Sequence, residues 1–188
     1  MILSDSSIKE KREKGEIYIE PFSEEFLQPA SYDLHLDKYF LVFNKENIGM
    51  IDVREKAKGL MREIVVENVS DGFVIHPNEL VLANVKEITG VDSKHVGRLE
   101  GKSSLGRLGL VVHATAGFLD PGNKLRLTLE LANFSPLPIK IYPGMKIAQI
   151  AFEELDKACN RPYGSKGLGS KYLGDLRVKG SNMWKNFK

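Results

Sequence analysis

The sequence predicts a mainly β protein, an antiparallel barrel or sandwich with one short N-terminal helix. Three observations predict it. Short runs rich in β-branched and aromatic residues recur along the 188 residues, and strands read this way. Turn signals separate the runs: His76-Pro77-Asn78-Glu79, Asp120-Pro121-Gly122-Asn123 and Tyr142-Pro143-Gly144. In these, proline presets φ and glycine permits φ > 0. No long amphipathic helical pattern lies between the runs, which favours antiparallel packing over a parallel α/β sheet.

The first element is helical. Ser4 is placed to N-cap it, and Leu3 with Ile8 forms a hydrophobic staple across the cap. Lys9 to Lys14 tolerates helix, and Gly15 is a natural stop just past its end. Strand-like runs follow at Glu16–Glu20, Tyr32–Leu36, Phe40–Phe43, Ile64–Val66, Phe73–Ile75, Leu80–Ile88, Val96–Glu100, Leu108–His113, Leu125–Leu131, Ile139–Tyr142 and Lys146–Phe152. The segment Lys45–Arg62 reads as a loop or a short helix. No internal repeat or linker interrupts the pattern, so residues 1–188 are expected to form one domain, with 157–188 as a C-terminal arm.

Hydrophobic residues make up 42% and charged residues 28% of the chain, ordinary for a globular protein. No run approaches the 18 apolar residues of a membrane-spanning helix, and Met1–Asp5 lacks the basic start and apolar core of a signal peptide. Cys159 is the single cysteine, so no internal disulfide forms, and a cytoplasmic location is expected. Charge is uneven. Residues 157–188 hold eight Lys and Arg against Asp175 alone, a net +7, which leaves −5 for the rest. Such an arm serves as a solvated end, a nucleic-acid arm or a lid over an anion. The patterned stretch Tyr163-Gly164-Ser165-Lys166-Gly167-Leu168-Gly169-Ser170-Lys171-Tyr172 argues against a mere solubilising tail.

Chemistry concentrates first in Gly101-Lys102-Ser103-Ser104-Leu105-Gly106-Arg107. Glycine lets a backbone N–H approach a ligand, and hydroxyls and cations are what phosphate oxygens want. This segment reads as the wall of an anion pocket. In Arg126-Leu127-Thr128-Leu129-Glu130-Leu131, the leucines face the core and Arg126, Thr128 and Glu130 face away. On an exposed sheet face a strand glutamate needs no explanation. If Asp120–Asn123 closes a four-residue hairpin, however, Glu130 lies opposite His113 and Thr128 opposite Thr115. That sets a carboxylate beside a strand leading from the anion wall, as a candidate general base.

Other chemistries lack their residues. The four histidines are scattered, and no His-x-Glu with Pro-Cys-x-x-Cys exists to hold a deaminase zinc. Ser103 and Ser104 are not on a Gly-x-Ser-x-Gly elbow. His113 reads as a packed or hydrogen-bonded core histidine, and Cys159 as inert.

Several segments then occur in the order of the five motifs of the dUTPase superfamily: Ala30-Ser31-Tyr32-Asp33-Leu34, Gly101-Lys102-Ser103-Ser104-Leu105, Ala116-Gly117-Phe118-Leu119-Asp120-Pro121-Gly122, Leu127-Thr128-Leu129-Glu130-Leu131, Lys146-Ile147-Ala148-Gln149-Ile150 and the Gly-rich tail. The glutamate strand and Ser103-Ser104-Leu105-Gly106-Arg107-Leu108-Gly109-Leu110 resemble specifically the dCTP deaminases of that superfamily. The resemblance covers nearly the whole chain.

The resemblance implies a distorted jelly-roll or β-barrel, a homotrimer with sites between subunits, and attack of water on C4 of cytosine without zinc. Mg²⁺ would ride on the nucleotide triphosphate, with no protein side chain as ligand. Glu130 resembles the proton shuttle. Ser103, Arg107 and the Ala116 carbonyl resemble the groups that hold the water. Lys102, Ser103, Ser104, Leu105, Gly106 and Arg107 resemble the triphosphate wall, Asp120 the group that binds the 3′-hydroxyl, and Thr128, Leu129 and Glu130 the strand that reads the base. Gln149, Tyr163 and Lys171 resemble contacts to base or phosphates. Asp175 stands where the family usually has a glutamine near the phosphates, and would repel a triphosphate unless Mg²⁺ or a lysine intervenes. Asn123-Lys124-Leu125-Arg126 replaces an aromatic-x-Gly-x stretch.

Ala116-Gly117-Phe118 resembles the bifunctional branch, which also releases diphosphate to give dUMP. Gly117 and Phe118 are therefore the candidate determinants of bifunctionality, with Gly117 leaving room for a second water. The implied partners are dCTP, dUTP as intermediate or substrate, and dTTP as feedback inhibitor. Membrane and nucleic acid are not expected. The alternatives are a deaminase that releases dUTP, a dUTPase without deamination, and a non-catalytic nucleotide-binding regulatory module.

Overall fold

The computed structural model describes residues 1–44, 46, 48–56 and 58–188. Helix α1 (Asp5–Glu13) begins where Ser4 accepts the N–H of Ser7 through its side chain, and ends before Gly15 at φ 74°. Leu3 and Ile8, the expected staple, are both buried. Strands β1 (Ile17–Glu20), β2 (Leu27–Gln28), β3 (Ser31–Phe43), β4 (Met61–Val65), β5 (Phe73–Ile75), β6 (Leu80–Val85), β7 (Ile88–Val91) and β8 (His95–Gly101) follow. After a helical turn, α2 (Ser103–Gly106), come β9 (Leu110–Val111), β10 (Phe118–Leu119), β11 (Lys124–Leu125), β12 (Thr128–Asn133), β13 (Ile139–Ile141) and β14 (Lys146–Glu154). The mainly β expectation holds. Part of the segment read as loop or helix, Lys45–Arg62, lies outside the described residues at 45, 47 and 57, and its last two residues belong to β4.

A nine-stranded antiparallel sheet runs β10-β8-β14-β3-β6-β12-β9, with β2 and β4 also on β3. A three-stranded sheet β1-β7-β11 and the pair β13-β5 close around it. The inward faces bury Tyr32, Leu34, Phe40, Leu99, Leu129, Leu131, Ile150 and Phe152 in one continuous core. At roughly 1.5–3 kcal/mol per fully buried large side chain, this core is the main stabilising term. The ends of the barrel are stitched together: Leu3 N–H donates to the Phe152 carbonyl at 2.9 Å and Glu154 N–H to that of Met1 at 3.0 Å.

Three sequence readings are corrected. The runs Tyr32–Leu36 and Phe40–Phe43 are one strand, because the pairing of β3 with β6 slips between Leu36 and Phe40. A bulge there bends the strand without ending it, so β3 serves β14 with its first half and β6 and β4 with its second. The run Leu80–Ile88 is two strands. Glu87, almost wholly buried, accepts the His35 N–H at 2.9 Å and pairs with its ring at 2.6 Å, anchoring the chain where it changes sheets. The run Leu125–Leu131 likewise divides between β11, on β7, and β12, on β6 and β9. Asp120–Asn123 is therefore a turn between sheets rather than a hairpin, since β10 pairs β8 and β11 pairs β7.

No strand is formed after Glu154 among the described residues. The arm lies on the barrel instead. Tyr163 N–H donates to the Pro121 carbonyl at 2.8 Å, Arg126 N–H to that of Asp175 at 2.9 Å, and Val178 is buried. At its end, Trp184 takes Lys188 over its ring at 4.3 Å and Lys56 at 5.7 Å.

Candidate active site

The pairs Val111–Ala132 and Leu110–Asn133 continue the register expected from the sequence, although the hairpin that suggested it does not form. The ladder stops before His113, so Glu130 and Thr128 have no strand partners there. Glu130 Oε2 accepts the N–H groups of Ala114 at 2.9 Å and Thr115 at 3.1 Å. On its other side β12 pairs Thr128 with Asn84 and Glu130 with Leu82. Glu130 and Thr128 are half-buried, while Leu129 is in the core. The loop that Glu130 holds continues through Ala116, exposed, and Gly117, whose carbonyl accepts the Leu99 N–H at 2.7 Å. A Cβ on Gly117 would meet the Leu99 carbonyl oxygen at 3.1 Å and His113 Cε1 at 3.2 Å, so a side chain here would press on both neighbours. His113 packs here, and its buried Nδ1 has no hydrogen-bond partner among the described residues. Phe118 is 65% exposed.

Ser103, Ser104, Leu105 and Gly106 form the helical turn α2, because the N–H groups of Leu105 and Gly106 turn back on the Lys102 carbonyl and that of Arg107 on the Ser103 carbonyl. Ser103 and Arg107 are exposed, and among the described residues neither side chain has a hydrogen-bond or ion-pair partner. They are not joined to Glu130 within one chain. Lys102 is engaged: its Nζ lies 2.6 Å from Asp33 Oδ1, and Lys146 Nζ lies 3.1 Å from Asp33 Oδ2. Burial pushes the Asp33 carboxyl up, but the two ammonium groups outweigh it and hold the group below its ordinary value. Gln149, beside Asp33 on β14, accepts the Ser31 hydroxyl at 3.3 Å.

A third group lies under the arm. Asp120, Pro121, Cys159, Arg161, Tyr163 and Lys171 line an open cleft of about 450 Å³. The Tyr163 hydroxyl accepts the N–H groups of Lys171 and Tyr172, each at 3.2 Å, which ties the Gly-rich loop closed. Desolvation raises the Asp120 carboxyl above its ordinary value, although the side chain still reaches solvent at the cleft mouth. Asp175 does not face the cleft as a bare charge, because Lys179 pairs with it. The lysine that an aspartate here requires is thus four residues further on.

Asp120, Tyr163 and Lys171, which the resemblance assigns to the sugar, base and phosphates of one nucleotide, line the same cleft. Sequence reasoning gave no role to Asp33, although an acid inside the apolar run Tyr32-Asp33-Leu34 was a signal. It also missed Asn84, fully buried opposite Thr128 with both side-chain polar atoms unpartnered among the described residues.

A family model described as dCTP deaminase-like matches residues 2–155. A protein of Corynebacterium glutamicum (strain R) named dCTP deaminase, dUMP-forming, is 46% identical over 187 residues, covering 100% of this chain and 98% of that one. One of the same name from Thermobifida fusca (strain YX) is 43% identical over 187 residues, covering 100% and 95%. The solved structure of 2′-deoxycytidine 5′-triphosphate deaminase from Agrobacterium tumefaciens superposes with a TM-score of 0.63 at 21% identity, over 85% of this chain and 49% of that one. This last likeness is one of fold, and this chain spans about half of that chain's length.

Proposed function

The chain belongs to the dCTP deaminase-like family, and from that premise we propose that it converts dCTP and two waters to dUMP, diphosphate and ammonia. The observation that carries this reading is the Glu130 carboxylate, fixed by the Ala114 and Thr115 N–H groups of the loop that leads to Gly117. Relatives 43–46% identical over the whole chain carry the dUMP-forming name.

Glu130 takes a proton as the water oxygen bonds to C4 of cytosine. That proton passes to N3, and the second proton of the water then moves through Glu130 to the amino nitrogen as the C4–N bond breaks, so ammonia leaves and C4=O and N3–H remain. One positioned carboxyl thereby serves as base and then as acid, worth roughly 10²–10⁴ in rate. The Ser103 hydroxyl, the Arg107 guanidinium and the Ala116 carbonyl orient the water and the developing tetrahedral centre. Thr128, Leu129 and Glu130 read the base. Asp120 accepts the sugar 3′-hydroxyl, and Tyr163 and Lys171 close on the nucleotide from the arm. Lys102 to Arg107 face the triphosphate, with Gln149 on the neighbouring strand. The second water enters beside Gly117, attacks the α-phosphorus and expels diphosphate.

Ser103 and Arg107 are exposed and unpartnered among the described residues, and no hydrogen bond joins either to Glu130, which supports a homotrimer whose sites form between subunits. Mg²⁺, when bound, supplies charge neutralisation on the triphosphate. The residues fit a cation carried by the phosphates, because Asp33 is committed to Lys102 and Lys146 and Asp175 to Lys179. dTTP offers the same sugar and triphosphate to the site, which supports its assignment as feedback inhibitor. The lone cysteine supports a cytoplasmic location, and no helix among the described residues is long and apolar enough to cross a membrane.

Product analysis tests the reading. With dCTP and Mg²⁺ the protein yields dUMP, diphosphate and ammonia in equal amounts, and free dUTP does not accumulate. Stoichiometric release of dUTP would remove the second activity, and no ammonia would remove both.

A further inference from the structure

The turn after α1 meets the loop between β7 and β8 and the first residue of β8, bringing Glu16 to Asp92 and His95. One carboxylate oxygen of Glu16, one of Asp92 and a ring nitrogen of His95 all lie within 4.8 Å of one another. None of them belongs to the candidate active site. His95 is fully buried. Its Nδ1 lies 2.8 Å from Asp92 Oδ1, and its Nε2, shut off from solvent, has no partner among the described residues. Glu16 Oε2 is also shut off from solvent and has no partner in hydrogen-bond geometry, although the Lys11 ammonium stands 2.7 Å away. Leaving the His95 Nε2 unpaired costs about 1–3 kcal/mol. A buried imidazole beside two carboxylates is the donor set of a borderline divalent cation.

We propose that Glu16, Asp92 and His95 bind a divalent transition-metal cation of the Zn²⁺ class, in exchange for the Lys11 ammonium. Metal–ligand bonds of about 2.0–2.2 Å place ligand atoms roughly 3–4 Å apart, so binding draws together three atoms that already lie within 4.8 Å of one another. The backbone makes the site matter to its surroundings. Asp92 N–H donates to the Glu16 carbonyl at 2.9 Å. The Asp92 carbonyl accepts the Gly122 N–H at 3.0 Å, and that of Ser93 accepts the Cys159 N–H at 2.8 Å. A cation here clamps the N-terminal turn to the loop on which both the Asp120–Asn123 turn and the root of the arm are hung.

The test uses the full chain, stripped with chelator and titrated with Zn²⁺, Co²⁺ or Mg²⁺. Zn²⁺ at about a hundredfold excess over its Kd raises Tm by roughly 5–10 °C, Co²⁺ develops visible d–d absorption, and Mg²⁺ does neither. Glu16→Gln, at a half-buried position that tolerates the amide, weakens Zn²⁺ binding by at least about tenfold. Lys11→Met, which removes the rival cation, tightens it. Absence of a Zn²⁺-dependent shift in the wild type overturns the proposal. So does a shift that Glu16→Gln leaves unchanged, because the ion then binds elsewhere, or a Lys11→Met protein that binds no tighter.

Discussion

Glu130 Oε2 accepts the Ala114 N–H at 2.9 Å, across the gap where the β9–β12 ladder has ended. The carboxylate replaces the missing strand partner, so the group proposed to carry the proton also holds the loop that leads to Gly117. Glutamine retains an oxygen that accepts those N–H groups but carries no exchangeable carboxyl proton. Glu130→Gln should therefore keep Tm within a few degrees while lowering ammonia release from dCTP by about 10²–10⁴. Parallel thermal melts and ammonia assays separate the two roles, and near-normal turnover would remove Glu130 from the chemistry.

Asp33 joins Lys102, at the head of α2, to Lys146 on β14. Its carboxyl titrates below the ordinary value in the folded protein. Its contribution to stability is thus present above the unfolded-state pKa near 4 and is lost as pH falls through the lower folded value. Asp33→Asn should cost about 1–3 kcal/mol at pH 7, with the difference from wild type shrinking below about pH 4. Denaturant melts across that range check it. A gap that stays constant with pH would assign the loss to packing.

Asp120 behaves in the opposite sense, because desolvation raises its carboxyl. The folded state then holds this proton more tightly than the unfolded chain, so stability declines as pH rises from the unfolded to the folded pKa and remains lower above both. Asp120→Asn should leave the nucleotide-free protein equal or slightly more stable at pH 7, by no more than about 0.5 kcal/mol. The same change should raise KM for dCTP, read by steady-state kinetics beside the melts. A clear loss of stability at pH 7 would contradict the desolvation argument.

Gly117 has no room to spare, with the Leu99 carbonyl and His113 on either side. Gly117→Ala should displace His113 or the loop, at about 1–3 kcal/mol. If the second water enters here, the variant should release free dUTP while ammonia formation stays within about tenfold. Chromatography of the products decides this. Continued formation of dUMP alone would place the second water elsewhere.

Much of this was legible along the chain. Local chemistry sufficed for the Ser4 cap, the Gly15 stop and the alternation of Leu127, Leu129 and Leu131, because each is settled within a few residues. The break at Arg126 and Leu127 was not legible, since it depends on which strand arrives beside each half. The helical turn at Ser103–Gly106 was hidden because its residues suit a phosphate loop equally well. The convergence of Asp120, Tyr163 and Lys171 was readable only through family resemblance. The meeting of Glu16 with Asp92 and His95 had no sequence signal, for it is made by the pairing of β1 with β7 across more than 70 intervening residues.

Trp184 is the single tryptophan of the chain, and it lies in the arm, with the Lys56 ammonium over its ring. The molecule therefore carries its own optical reporter. Its emission reads the seating of the arm without any attached dye, and rapid mixing with nucleotide can time that seating against the appearance of ammonia. Whether the arm settles before or after the amino group departs becomes a question of two traces on one time axis.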